Sequence, residues 1–202
     1  MNNNFIITIG RELGSGGRII GAQLAKKLNS AFYDKELILR ASKESGLSSS
    51  FMEQVDEHFS PIQTGGLLGD FFQQFYFSSE SCFQIQSDVI REIAEHESAV
   101  IVGRGADYVL REHPRCLNVF VTANMSDRIQ RVAESHTISE DEARILIEKA
   151  DKKRASFYNY FTSKEWGRAK SYDLCVNSSV FGLEKTTDYI FQLVKDRFSP
   201  IP

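Results

Sequence analysis

The chain has 202 residues, of which 42% are hydrophobic and 25% charged, with a formal net charge of −3 at pH 7. That length fits one medium domain with a sizeable core, and that composition excludes a disordered chain. The weak negative balance excludes a global basic field that would recruit nucleic acid, and no apolar run approaches the roughly 20 residues needed to cross a bilayer.

The N-terminus runs from Met1 and three asparagines straight into an apolar stretch, with no basic start and no cleavage site, so no secretory signal and a cytoplasmic location are expected. Ile6, Ile7 and Ile9 read as a buried parallel strand, which is apolar on both faces. The strand breaks at Gly10 into Arg11-Glu-Leu-Gly-Ser-Gly-Gly-Arg18 and then into a helix with Ile20, Leu24 and Leu28 on one face. Gly14, Gly16 and Gly17 allow positive φ and let N–H groups turn inward, and with Ser15 they form an anion nest at a helix N-terminus. Against the phosphate-loop pattern G-x-x-x-x-G-K-[ST], with Gly16 as the last glycine, Gly17 stands at the lysine and Arg18 at the hydroxyl position. Arg18 offers a forked donor suited to phosphate, and Arg11 approaches from the strand side.

Ala31 to Asp34 is a short strand ending in a carboxylate, which is either a helix N-cap or a substrate contact at the sheet edge. A helix over 35–44 follows, then a capping box at Ser50 and Glu53, a helix through Phe59 and a loop over 60–66. Phe71, Phe72, Phe75, Tyr76, Phe77 and Phe83 make an aromatic stretch that fits core or an oligomer interface better than a ligand pocket. Ile85, Val89 and Ile93 continue it as an amphipathic helix. Ala99 to Gly103 is a second apolar strand, running into a polar loop with Arg104 and Asp107, and Leu117 to Thr122 is a third. Each strand precedes a helical pattern, which predicts a parallel sheet covered by helices. Met125 to Glu134 is a helix with Asp127, Arg128 and Arg131, and Ser139 with Glu142 caps another that ends around Asp151, Lys152, Lys153 and Arg154. Residues 156–167 lack clear periodicity and read as a flap; Tyr172 to Asn177 is the last strand and Leu183 to Arg197 the last helix. Cys82, Cys116 and Cys175 are widely spaced, so they are expected to be reduced, and no metal site is expected on them.

The order of these features, from nest to acidic strand end to strand-Gly-Arg to basic helix to flap, is the layout of a nucleoside monophosphate kinase. The chain resembles the cytidylate kinase-like family through residues 7–18, Phe-Tyr-Asp-Lys (32–35), Val-Gly-Arg-Gly-Ala-Asp (102–107), Asp-Lys-Lys-Arg (151–154) and Tyr-Asp-Leu-Cys-Val-Asn (172–177). The resemblance implies one P-loop domain over 1–202, a three-layer α/β/α fold with a five-stranded parallel sheet, a helical nucleotide-binding insert at about 35–97 and a lid at about 149–167. It also implies transfer of the ATP γ-phosphoryl, with Mg²⁺, to CMP or a related small acceptor; a nucleotide-binding protein without turnover and a structural oligomer are the alternatives. The expected phosphate-binding residues are Arg11, Gly14, Ser15, Gly16, Gly17 and Arg18. Arg18, Lys152 and Arg154 are the expected catalytic cations, and Asp34, Arg104, Asp107 and Asp151 the expected acceptor contacts. No nucleic-acid or membrane partner is expected, and self-association would run through the aromatic segment 71–83.

Overall fold

The structure, a computed structural model, describes residues 4–34 and 83–199. The expected elements over 35–66, the aromatic residues Phe71 to Phe77 and Cys82 lie outside the described residues. Five strands, β1 (Ile6–Arg11), β2 (Ala31–Tyr33), β3 (Ala99–Val102), β4 (Cys116–Thr122) and β5 (Leu174–Asn177), form one sheet in the order β2-β3-β1-β4-β5. Every pairing is parallel, with Ile6 opposite Ala99 on one side and Cys116 on the other. Helices α1 (Gly17–Leu28), α2 (83–96), α3 (Ala106–Val109), α4 (Met125–His136), α5 (Glu140–Thr162) and α6 (Ser178–Phe198) complete the described chain. Among the described residues no helix is long and apolar enough to cross a membrane.

The central strand explains the apolar run at the start of the chain. Phe5, Ile7 and Ile9 face α1 and α6 through Ile20, Leu24, Ile190 and Val194, while Ile6 packs on the opposite side with Ile90, Ile101 and Val109. Both faces are therefore covered, and at about 25 cal/mol per Å² of buried apolar surface this stacking is the main favourable contribution to folding. Helix α1 lies close on the sheet because Gly21 has no side chain; a Cβ there would stand 2.9 Å from Val102 and 3.2 Å from Ile9.

Two expectations are corrected. Helix α5 does not end near Arg154 but continues to Thr162, where Ser163 stops it in a left-handed conformation. Its last turns are aromatic because they pack, with Phe161 stacked on Phe83 at 4.4 Å and Phe157 at 5.8 Å from the same ring. Phe83, a member of the aromatic segment, thus has partners within its own chain. The last helix begins five residues before Leu183, at Ser178, and is broken at Gly182, whose φ of 76° and ψ of 168° are not helical.

Candidate active site

At the carboxyl end of β1 the chain turns through Glu12 to Gly16 and enters α1 with Gly16 as N-cap at φ 80°. No side chain caps the helix, so its first-turn N–H groups stay open for an anion. The rest of the loop is fastened from outside by α4 and α5. Arg128 Nε donates to the Leu13 carbonyl at 2.7 Å and Arg131 Nη1 to the Gly14 carbonyl at 3.0 Å. Asp151 Oδ1 accepts the Leu13 N–H at 2.9 Å, and its other oxygen pairs with Arg128. Glu12 accepts from Thr122 Oγ1 and lies 3.3 Å from Arg128. The approach is tight enough that a Cβ on Gly14 would fall 2.7 Å from the Arg128 carbonyl oxygen, and Gly14 holds φ 79°. On the other flank Ser178 Oγ donates to the Ser15 carbonyl at 2.7 Å.

Beside the loop, between the carboxyl ends of β1 and β3 and the inner face of α5, lies a cavity of about 310 Å³ lined by Arg11, Arg104, Lys153 and Arg154 together with Asp107, Tyr158, Tyr172 and Trp166. Ligands of open α/β sheets bind at this edge. Arg104 is presented by a run of three positive-φ residues, Gly103 at 82°, Arg104 at 62° and Gly105 at 63°. A non-glycine residue in that region costs about 1 kcal/mol, and such strain collects where a side chain must be aimed. Arg154 Nη1 donates to the Arg11 carbonyl at 3.2 Å and sits 3.5 Å from Asp151. Burial, then Arg154 and Arg104, push the Arg11 guanidinium down to about 9, against the partial offset of Asp34 and Asp151. It remains cationic at neutral pH, and an incoming anion relieves the repulsion that lowers it. Burial also lowers Arg154.

Asp107 closes the cavity floor. It is 6% exposed and accepts from Tyr158 Oη at 2.6 Å. Burial raises its carboxyl above the ordinary range more than the Tyr158 bond lowers it. Tyr158, beside Asp107 and Tyr172, is raised in turn, first by burial.

Residues 6–180 match the cytidylate kinase-like family. The chain belongs to that family. Among solved structures, an uncharacterized protein from Eubacterium ventriosum aligns with a TM-score of 0.76 and 26% identity, covering 96% of this chain and 100% of its own. Shikimate kinase from Bacteroides thetaiotaomicron aligns at 0.55 with 18% identity, covering 95% and 98%. Shikimate kinase from Acinetobacter baumannii in complex with shikimate aligns at 0.54 with 13% identity, covering 96% and 94%. These kinases share the fold, and no curated protein sequence matches the chain.

Set against this cytidylate kinase-like frame, the expected site residues divide. Arg11, Arg104, Asp107 and Arg154 converge on the cavity. Lys152 is exposed, and Lys153 is the lysine that lines the cavity, because the helix carries residue 152 to its outer side. Asp151 is turned onto the loop and Arg128, away from an acceptor. Arg18 is not aimed at the nest: its Nε donates to Asp34 Oδ2 at 2.7 Å beyond the end of β2, with Asp34 buried and the Arg18 side chain 68% exposed. Tyr158 was missed because an aromatic residue in an aperiodic-looking stretch carries no charge signal, and Tyr172 because it reads only as the start of the last strand.

The P-loop hydroxyl position does not fit direct Mg²⁺ ligation. Arg18 occupies it, and the Ser15 hydroxyl donates to the Glu12 carbonyl at 2.9 Å. Among the described residues no group of three or more His, Cys, Asp or Glu side chains is placed to hold a metal.

Proposed function

We propose that this cytidylate kinase-like protein is a cytoplasmic phosphotransferase that passes the γ-phosphoryl of ATP to a small anionic acceptor, with CMP or a related pyrimidine monophosphate as the first candidate. The observation that carries the reading is the cavity in which Arg11, Arg104, Lys153 and Arg154 meet next to an open helix N-terminus. Phosphoryl transfer needs little covalent chemistry from the protein, so positioning and charge neutralisation are the main requirements, and these residues supply both. In this reading the nest holds the donor phosphates, Arg104 with the Arg18–Asp34 pair orients the acceptor, and Arg154 faces the charge that develops in transfer. Mg²⁺ would reach the site on ATP oxygens and water, in keeping with its reluctance to dehydrate. Self-association through the aromatic segment 71–83 stays part of the proposal, and sedimentation tests it.

A panel of acceptors (CMP, dCMP, UMP, shikimate) assayed for acceptor-dependent ADP release tests the activity. Release with one acceptor class supports phosphotransfer; its absence throughout the panel, from protein that binds ATP by calorimetry, leaves a nucleotide-binding protein instead. That second reading is favoured by one feature of the loop: the Leu13 N–H is committed to Asp151.

A further inference from the structure

The position where a P-loop carries its lysine is Gly17, and the structure shows what fills the space. A Cβ on Gly17 would lie 2.6 Å from Arg11 Cβ, 3.1 Å from Arg11 Cγ and 3.4 Å from Val121 Cβ. The Arg11 stem therefore runs through the channel that a side chain at residue 17 would need. At its other end the guanidinium lies against Gly103, where a Cβ would collide with Nη1 and stand 3.0 Å from Cζ. Two glycines on different elements are thus kept clear by one arginine.

That arginine is held at its base and open at its tip. Its carbonyl is fixed by Arg154 and its backbone lies in the β1 ladder. Its guanidinium lines the cavity and, among the described residues, makes no side-chain hydrogen bond or ion pair. The guanidinium stays charged at neutral pH, and its burial beside Arg104 and Arg154 favours an anion brought into the cavity.

We propose that Arg11 replaces the P-loop lysine, delivering from the end of β1 the cation that grips the donor's terminal phosphates, and that Gly17 is glycine because the Arg11 stem occupies the lysine's path. The assignment rests on the phosphotransferase reading for its role in turnover but not for its role in binding polyphosphate.

The test uses Arg11→Met, which keeps the stem and removes the charge, and the exchange variant Arg11→Gly with Gly17→Lys, which removes the Arg11 Cβ that stands 2.6 Å from the site of a residue-17 Cβ and restores a lysine. Affinity for tripolyphosphate and for ATP is measured by calorimetry, with thermal unfolding as the control for folding. Arg11→Met is expected to weaken tripolyphosphate binding about tenfold to a hundredfold, the scale of one charge-assisted contact, without a lower melting temperature. The exchange variant is expected to regain about tenfold or more over Arg11→Gly alone. Wild-type affinity in folded Arg11→Met overturns the assignment, as does a folded exchange variant that binds no better than Arg11→Gly. A wild-type protein whose tripolyphosphate affinity depends on Arg11 but which phosphorylates no acceptor supports the assignment and refutes only the phosphotransfer reading.

Discussion

Removing the Asp151 carboxylate tests whether α5 holds the phosphate loop in shape. Asp151 accepts the Leu13 N–H at 2.9 Å and pairs with Arg128, whose side chain is 5% exposed, and with Arg154 at 3.5 Å. Deleting one member of a buried pair costs about 3–5 kcal/mol, because the other charge is stranded. Arg128 would keep Glu12 at 3.3 Å and the Leu13 carbonyl, so the lower end of that range applies. For a chain of this size each kcal/mol shifts the melting temperature by about 2–4 °C, so about 3 kcal/mol corresponds to roughly 6–12 °C for Asp151→Ala. Asp151→Asn keeps an oxygen for Leu13 and loses only the charge, and should fall between Ala and wild type. The assay is calorimetric unfolding at neutral pH, repeated in high salt, where a pair this buried is only weakly screened. An Asp151→Ala melting temperature within about 2 °C of wild type, or a loss that vanishes in salt, refutes the clamp.

Three further outcomes are expected. Asp107 has a raised carboxyl in the folded state, so the fold binds its proton more tightly than the unfolded chain does, and stability falls as pH rises from the unfolded value through the folded one. Asp107→Asn, which can still accept from Tyr158, should therefore gain on wild type as pH rises through that window and hold a constant advantage above it; urea unfolding across pH, with a flat difference or the opposite slope, refutes this. Arg154→Ala should lower kcat by about a hundredfold with a smaller change in KM, because a contact strengthened in the transition state shows in turnover; unaltered kcat removes Arg154 from the transfer step. Arg18→Ala should raise the acceptor KM by about tenfold while the ATP KM stays within about twofold, since its guanidinium is at Asp34; the reverse pattern returns Arg18 to the donor phosphates.

The parts of the fold that were legible in the sequence are those where one physical demand dominates. Phe5 to Ile9 is buried on both faces, so its apolar run is a strand whatever surrounds it, and Ile20, Leu24 and Leu28 all face the sheet as their spacing predicts. The end of α5 was hidden because its inward positions are not uniformly apolar. Ala143, Ile147, Asp151, Arg154, Tyr158 and Thr162 recur at helical spacing, but from Asp151 onward the inner face meets the phosphate loop and the cavity instead of a hydrophobic core. Polar contacts to the loop and the cavity replace the apolar residues on which periodicity depends. Gly17 was legible as a departure from the P-loop pattern, but its cause was not. The reason lies six residues earlier, in a side-chain path that only the folded loop reveals.

The continuous α5 also changes how a lid could work here. A short flap at 156–167 could close alone, but Asp151, Arg154 and Tyr158 lie on one rigid helix that touches the Leu13 N–H, the Arg11 carbonyl and Asp107 in turn. Movement of that helix would displace the donor loop and the acceptor cavity together. After Ser163, whose φ is 54°, a short non-helical segment runs through Gly167 at φ 74°. It carries Trp166, whose ring packs edge-on to Phe120 at 5.3 Å and whose backbone N–H donates to Asn159 Oδ1 at 2.8 Å. Further hydrogen bonds tie the segment, from the Lys164 N–H to Thr162 Oγ1 at 3.1 Å and from the Gly167 N–H to Tyr172 Oη at 3.4 Å, but none of its contacts is a buried ion pair, whereas moving α5 would require breaking the buried Asp151–Arg128 pair. In the proposed transfer, any closure would therefore fall on residues 163–168, with α5 as the fixed wall.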